Sequence, residues 1–269
     1  MNFYNLDISD LRAIGKALLE MVPLYRFAED SEDVLKVGAG GDKTFKMDEK
    51  AEDIIITHLG SLGGEFTVIS EEIGKKEING GGGLRILIDP IDGSKNAVTG
   101  LPMFCTSIAV LEGDRVGDVV MGYIINLISG DEFWALKGQG SYLNGRPVMT
   151  RPGDDISVIL YESQNPGKDL SVLLPLFSLC FRTRCFGATA LNLAYLSMGA
   201  VSVFVTPSMS RTFDYAAGYL LVKEAGGIVT DIRNQPIENI EIGVRKSNTI
   251  LASANETIHK KALIALGVV

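Results

Sequence analysis

The sequence predicts a two-part α+β/α/β chain: an antiparallel sheet behind two leading helices, followed by an alternating α/β half. Three observations predict it. Helical spacing comes first, over residues 8–27 and from about Asp48 to His58. Strand-like runs then follow one another across short turns. After about residue 145, strands and helices alternate. No internal repeat and no Pro/Ser linker interrupts the chain, so the boundary near 145 reads as a junction between two closely packed sub-domains, 1–145 and 146–269.

The first helix rests on Leu11, Ile14, Leu18, Leu19 and Val22, which share one face at helical spacing. The Gly-rich stretch from Val37 to Lys43 reads as a flexible loop. Ala51, Ile54, Ile55 and Leu59 form the stripe of the second helix. Phe66 to Ser70 is a short strand that delivers Glu71 and Glu72 at its end. Asn79 to Gly83, with its four consecutive glycines, is a loop. Leu84 to Ile88 is a strand running into Asp89, and Pro90 should end it. Further strands are expected at 104–111, 118–125 and 131–136, with a turn at Asn144-Gly145. In the second half, strands at 157–161, 180–186, 201–205, 227–231 and 249–252 interleave with helices at 168–178, 189–198, 213–225 and 255–266. Gly226-Gly227 closes the third of these helices.

Composition narrows the chemistry. With 33 acidic and 25 basic residues the net charge is −8, which disfavours nucleic acid as a partner. No apolar run approaches the ~20 residues of a membrane span, and the start, Met1 to Asp7, lacks a signal-peptide pattern. A soluble, cytoplasmic protein is expected. Cys105, Cys180 and Cys185 are too few for a disulfide framework and read as buried free thiols. The two histidines, His58 and His259, leave little material for triad or zinc chemistry. An acidic chain can still bind a phosphate ester by first collecting divalent cations, which makes clustered carboxylates the feature to seek.

Such a cluster centres on Asp89-Pro90-Ile91-Asp92-Gly93-Ser94. Asp89 and Asp92 flank a turn beyond a strand end, with the Ile91 carbonyl between them as a hard oxygen donor. These are ligands that Mg²⁺ selects. Gly93 permits close backbone approach, and a helical turn opening there aims amides at an anion. Taken alone, the segment is equally an Asp-rich turn, Glu71-Glu72 a solvated acidic turn, and Asp214 a helix-dipole partner for the apolar helix behind it. Together, as three acidic groups at strand exits and helix starts, they are expected to share one carboxylate cluster.

These segments resemble the inositol monophosphatase-like, Li⁺-sensitive phosphatase superfamily, which includes fructose-1,6-bisphosphatases and bisphosphate nucleotidases. Gly41-Asp42-Lys43-Thr44 through Asp48, Ile69 to Glu72, Ile88 to Ser94, Phe213 to Gly218 and Glu224 to Gly227 occur in that family's order with similar spacing. The resemblance implies a layered α-β-α-β-α sugar phosphatase fold and a phosphomonoesterase of carbohydrate metabolism and gluconeogenesis. It implies two or three Mg²⁺ ions, with Mn²⁺ as a substitute, held by Glu71, Asp89, the Ile91 carbonyl, Asp92 and Asp214. The metal ligands thus fall mainly in the first sub-domain, with the substrate contacts and the last ligand in the second. Ser94, paired with Asp48, would orient and deprotonate the attacking water, although Asp48 also suits a helix N-cap. Substrate would touch Asp92, Gly93, Ser94, Gly187, Ala188 and Thr189. Arg184, and secondarily Arg211, would grip the sugar or a second phosphate, although Arg184 also suits a surface strand end.

Two departures matter. Inositol-selective members carry Glu where this chain has Pro207, and Trp where it has Phe213. The Val37–Asp42 loop, the strand-to-helix junction at 186–188 and the Arg211-x-x-Asp214 spacing look more like the archaeal-type dual-activity enzymes, with 37–43 as a mobile catalytic loop. The expected substrate is a small phosphorylated sugar or polyol, fructose 1,6-bisphosphate and inositol 1-phosphate in particular, and the expected assembly a homodimer. A 3′(2′),5′-bisphosphate nucleotidase and a non-catalytic metal- or phosphate-binding regulator remain as alternatives.

Overall fold

A computed structural model describes residues 5–26, 28, 30 and 32–269. The expected N-terminal start at 1–4 and the last residue of the expected first helix, Phe27, lie outside them. Seven helices are described: α1 (Ile8–Tyr25), α2 (Lys46–Ser61), α3 (Ser94–Val98), α4 (Pro166–Phe177), α5 (Thr189–Ser197), α6 (Thr212–Glu224) and α7 (Glu256–Ala265). A small hairpin pairs β1 (Val34–Val37) with β2 (Lys43–Phe45). An eight-stranded sheet holds β3 (Phe66–Ser70), β4 (Gly74–Ile78), β5 (Leu84–Asp92), β6 (Cys105–Leu111), β7 (Val119–Asn126), β8 (Glu132–Leu136), β9 (Ser141–Leu143) and β10 (Arg146–Val148), in the order β10-β9-β8-β7-β6-β5-β3-β4. A five-stranded sheet holds β11 (Val158–Tyr161), β12 (Arg182–Arg184), β13 (Val203–Arg211), β14 (Ile228–Thr230) and β15 (Lys246–Ser253), in the order β12-β11-β13-β15-β14.

These elements stack in five layers, each interface built by the alternation of side chains along the strands. On β5, Ile86 and Ile88 face the cluster that buries Leu11, Ile14 and Leu18 of α1 and Ile55 of α2. Leu87, between them, faces the opposite way, into the cluster shared with α5, α6 and Phe204. On β13 the same alternation sends Val203 and Val205 outward to Leu173 of α4 and Ile258 of α7. Each fully buried Leu or Ile contributes about 1.5–3 kcal/mol of transfer free energy. The central α5/α6 layer is thin because of Gly218: a Cβ there would lie 2.5 Å from Cβ of Leu193.

Several expectations are corrected. The first-half sheet is not purely antiparallel, since β3 and β5 run parallel. The second sheet is mixed, with β11 parallel to β12 and β13, and β15 antiparallel to its neighbours. The expected loop at 37–43 is narrower, since Val37 ends β1 and Lys43 opens β2, which leaves 38–42 as the tip of a hairpin. Edge strand β4 carries Lys75, Lys76 and Glu77, which suit an exposed edge but hide it from an apolar pattern. The short strands β9 and β10 flank the expected turn, where Asn144 and Gly145 both take positive φ. Cys105 alone of the three thiols is buried; Cys185 is exposed. Among the described residues no helix is long and apolar enough to cross a membrane.

Candidate active site

Pro90 does not end its strand, because β5 absorbs it in a bulge. Asp89 pairs with Ser107, but Asp92 pairs with Cys105, so three steps on β5 face two on β6. A proline without an N–H is tolerated at such a place, and its carbonyl accepts a 2.7 Å hydrogen bond from the Thr106 hydroxyl. In a regular strand, residues three apart point to opposite faces. One extra residue between them restores the phase, so Asp89 and Asp92 share a side. Gly93 then turns the chain into α3 with φ 91°. A Cβ there would stand 2.9 Å from the Met103 carbonyl, so both the conformation and the space require glycine.

Glu71 leaves the end of the neighbouring parallel strand and is mostly enclosed, its side chain 13% exposed. It is therefore no solvated acidic turn. Asp214 lies in the first turn of α6, where its Oδ2 accepts the Arg211 N–H at 2.8 Å. The dipole role expected of Asp214 is real and coexists with its place beside the cleft. Glu71, Asp89, Asp92 and Asp214 line one cleft of about 700 Å³, together with Ile91, Gly93, Ser94, Gly187, Thr189 and Arg211.

Enclosing four carboxylates together raises their proton affinity. Burial is the largest cause, and mutual repulsion adds to it. Burial and the Asp214 charge push Asp92 up to about 8. Burial moves Asp214 to about 6 against the opposing Arg211 N–H. Burial and neighbouring acids hold Glu71 and Asp89 well above the usual carboxylate range.

Asp48 and Ser94 meet at the cleft's edge. The Ser94 hydroxyl donates to Asp48 Oδ1 at 2.7 Å and also lies 2.8 Å from the Ile91 carbonyl. Asp48 is not the N-cap of α2. It sits one turn in, and its Oδ2 accepts the Phe45 N–H at 2.7 Å, which fixes the carboxylate with one oxygen toward Ser94. Burial raises Asp48 to about 7.

Arg211 is committed inside the protein. Its Nη1 lies 2.8 Å from Asp42 and 4.0 Å from Glu71, and its Nη2 donates to the Gly40 carbonyl. It thereby fastens the 38–42 hairpin tip to the acidic cluster. Backbone bonds from Ala39 to the Glu72 carbonyl and from Gly40 to the Glu71 carbonyl complete the docking.

The expected amide cradle before α5 is already engaged. Thr189 and Ala190 N–H groups donate to Asp92 at 3.2 and 2.6 Å. The Gly187 N–H donates to Glu162 at 2.7 Å, and Asn192 donates to the same carboxylate. The start of α5 therefore orients Asp92 rather than presenting those amides to solvent. Ala188 is buried. Arg184 is exposed on edge strand β12, where its Nη1 donates to the Thr183 carbonyl, and it does not line the cleft. Pro207 sits in the irregular part of β13, between the Thr206 and Ser210 pairings.

Sequence reasoning missed Glu162, Gln164, Lys95 and Lys246, which also line the cleft. No local motif marks them. For Glu162 the one available signal was its place at a strand end, the same signal that found Glu71.

The donor set fits hard divalent cations. It is all oxygen, it is acidic, and Asp89 Oδ1 is buried without a hydrogen-bond partner, a costly state that a cation would relieve. Among the described residues no three His, Cys, Asp or Glu side chains already stand arranged to hold an ion. The fit thus lies in chemistry and in an unpaired donor rather than in a closed cage.

Layers of this order, enclosing an acidic cleft beside a Ser-Asp pair, define a phosphatase-type architecture. The chain belongs to the inositol monophosphatase family, whose model matches residues 2–266, a family of divalent-metal phosphatases. It is 33% identical over 251 residues to the fructose-1,6-bisphosphatase/inositol-1-monophosphatase of Methanothermobacter thermautotrophicus, covering 90% of this chain and 89% of that one. It is 34% identical over 254 residues to the protein of the same description from Thermococcus kodakarensis, covering 92% and 91%. It is also 31% identical to a bifunctional NADP phosphatase/NAD kinase of Methanococcus maripaludis, spanning 45% of that protein and 89% of this one. The crystal structure of an inositol monophosphatase-fructose 1,6 bisphosphatase superposes with a TM-score of 0.85 at 25% identity, covering 97% of this chain and all of the other.

Proposed function

We propose that this protein is a Mg²⁺-dependent phosphomonoesterase that hydrolyses fructose 1,6-bisphosphate and inositol 1-phosphate. The observation that carries the reading is the Ser94–Asp48 hydrogen bond at the rim of a cleft holding four enclosed carboxylates. Glu71, Asp89, the Ile91 carbonyl, Asp92 and Asp214 would hold two or three ions, with Mn²⁺ able to replace Mg²⁺. When bound, the metal supplies Lewis-acid polarisation of phosphoryl oxygens and a more acidic water.

The chain's own groups do the rest. Ser94, donating to Asp48, keeps its lone pairs for a water proton and so orients that water toward phosphorus. Asp48, raised to about 7, suits a proton acceptor working near neutrality. The amides of Gly93 and Ser94 carry the phosphate, and Asp92 is held in place by α5. The names of the relatives from M. thermautotrophicus and T. kodakarensis support the substrate pair. A homodimer in the cytoplasm, inhibited by Li⁺, completes the reading.

The test is Mg²⁺-dependent phosphate release from fructose 1,6-bisphosphate, inositol 1-phosphate, NADP and 3′-phosphoadenosine 5′-phosphate. Turnover of the first two supports the proposal. Turnover of nucleotides alone replaces it with a nucleotide phosphatase, a reading that the NADP phosphatase/NAD kinase relative favours. Binding without turnover of any of the four points to a regulator.

A further inference from the structure

Four cationic side chains reach the cleft: Lys43, Lys95, Arg211 and Lys246. Arg211 is spent on Asp42, Glu71 and the hairpin tip. Lys43 and Lys95 extend from the hairpin and from α3 with no side-chain hydrogen bond placing them among the described residues. Lys246 differs. It opens β15 directly opposite Arg211 in the ladder, and its ammonium donates to the side-chain oxygen of Gln164.

That partner is neutral, so the contact steadies the lysine without neutralising it. No ion pair is formed by Lys246 among the described residues, and its charge also acts on Asp214, opposing the rise that burial causes there. Gln164 in turn stands on a rigid turn. Asp169 is buried, and its Oδ2 accepts from Ser163 Oγ (2.9 Å), the Gln164 N–H (3.1 Å), the Asn165 N–H (2.9 Å) and Ser208 Oγ (2.6 Å). A single carboxylate thus ties the 163–165 turn to the irregular segment of β13. The outcome is a glutamine with an anchored backbone and a lysine that donates to its side chain, both lining the cavity that holds the acidic cluster. A cation held ready beside neutral donors is the composition of an anion subsite.

We propose that Lys246, positioned by Gln164, forms a second anion subsite that grips the phosphate remote from the one hydrolysed, and so favours bisphosphorylated sugars over monophosphates. This rests on the phosphomonoesterase reading above. The cleft, at about 700 Å³, has room for a hexose bisphosphate beside the acidic cluster. Arg184, the sequence-level candidate for this grip, is on the outer edge strand.

The experiment compares wild type, Lys246→Ala, Lys246→Arg and Gln164→Glu. Lys246 is exposed, so its substitution leaves folding intact, which thermal unfolding verifies. Loss of one charge-assisted contact is expected to raise KM for fructose 1,6-bisphosphate by on the order of tenfold or more with kcat held within about twofold. KM for inositol 1-phosphate stays within about twofold. Gln164→Glu, which pairs the lysine with a carboxylate, reproduces the same selective rise, and Lys246→Arg retains most of the affinity. Calorimetric binding of fructose 1,6-bisphosphate with Ca²⁺ in place of Mg²⁺ gives a readout independent of turnover. If wild type turned over neither substrate while Lys246→Ala still lost bisphosphate binding, the catalytic reading would fall and the subsite would stand. Equal KM changes for both substrates, or a selective change in Lys95→Ala with none in Lys246→Ala, would overturn the subsite.

Discussion

The Ser94 hydroxyl and the Asp48 carboxylate, 46 positions apart in the chain, meet at 2.7 Å. One side chain opens α3 after the β5 bulge, and the other lies in the first turn of α2. Their meeting requires α2 to pack on β5, so the dyad is a product of the core.

Ser94→Ala and Asp48→Asn should each lower kcat by about 10²–10⁴. Metal affinity, followed by calorimetry, should change much less. A metal affinity that fell in step with kcat would instead make the pair a structural support of the ligand set.

On the proposed reading, metal and protons compete for the same carboxylates. Their folded pKa values lie above the unfolded ones, so the metal-free fold binds extra protons, and the stability this contributes is lost as pH rises from about 4 through about 8. Added Mg²⁺ should therefore raise Tm more at pH 8 than at pH 6, and EDTA should abolish activity. Asp92→Asn should cut activity at least about 10²-fold and shrink the Mg²⁺-induced Tm shift. Near-normal turnover in that variant would remove Asp92 from the ligand set.

His259 gives an opposite, site-independent pH effect. It is buried between Thr230 and Ser253, with Nε2 3.1 Å and Nδ1 3.0 Å from their hydroxyls, and burial lowers it from 6.5 to about 4. A depressed histidine favours the neutral form, so the stability it contributes is full above pH 6.5 and lost as pH falls toward 4. The stability difference between wild type and His259→Gln should change by on the order of 2 kcal/mol across that window. A difference that stays constant with pH would show that His259 keeps its ordinary proton affinity.

Gly218 sets the thickness of the central helical layer. Gly218→Ala should destabilise the protein by about 1–3 kcal/mol through the collision with Leu193, and Leu193→Ala should relieve part of it in a double-mutant cycle. Additive losses would mean that the two residues do not oppose each other.

Arg211→Ala should free the hairpin tip. Amide hydrogen exchange at 38–44 should accelerate while the α5/α6 core stays protected. Unchanged exchange there would mean that the backbone bonds to the 71–72 turn suffice without the guanidinium.

Much was legible from local pattern. The strand exits that deliver Glu71 and Asp89, the close backbone approach at Gly93, and the helix start at Asp214 are dictated by nearby residues: apolar runs of strand length, a glycine, a helical stripe. That pattern placed the acidic residues at strand exits and a helix start, and the resemblance to the phosphatase superfamily is what joined them into one set. The amides before α5 were misjudged because a sequence shows that a helix begins but not what occupies its first N–H groups. Pro90 was misjudged because a bulge is a property of two strands, and Thr106, which satisfies its carbonyl, lies on the other one.

By itself, then, the sequence determined the helices and most of the strands, since each follows from spacing and backbone preference within one short segment, and its motif order, through the resemblance, singled out the acidic residues. Only the tertiary structure decided that β3 and β5 run parallel, that Arg211 is consumed by the hairpin while Lys246 rests against the neutral Gln164, and that Asp92 is held by α5. Those outcomes depend on which distant groups satisfy one another once water is excluded, and pairing across such separations leaves no period in the chain.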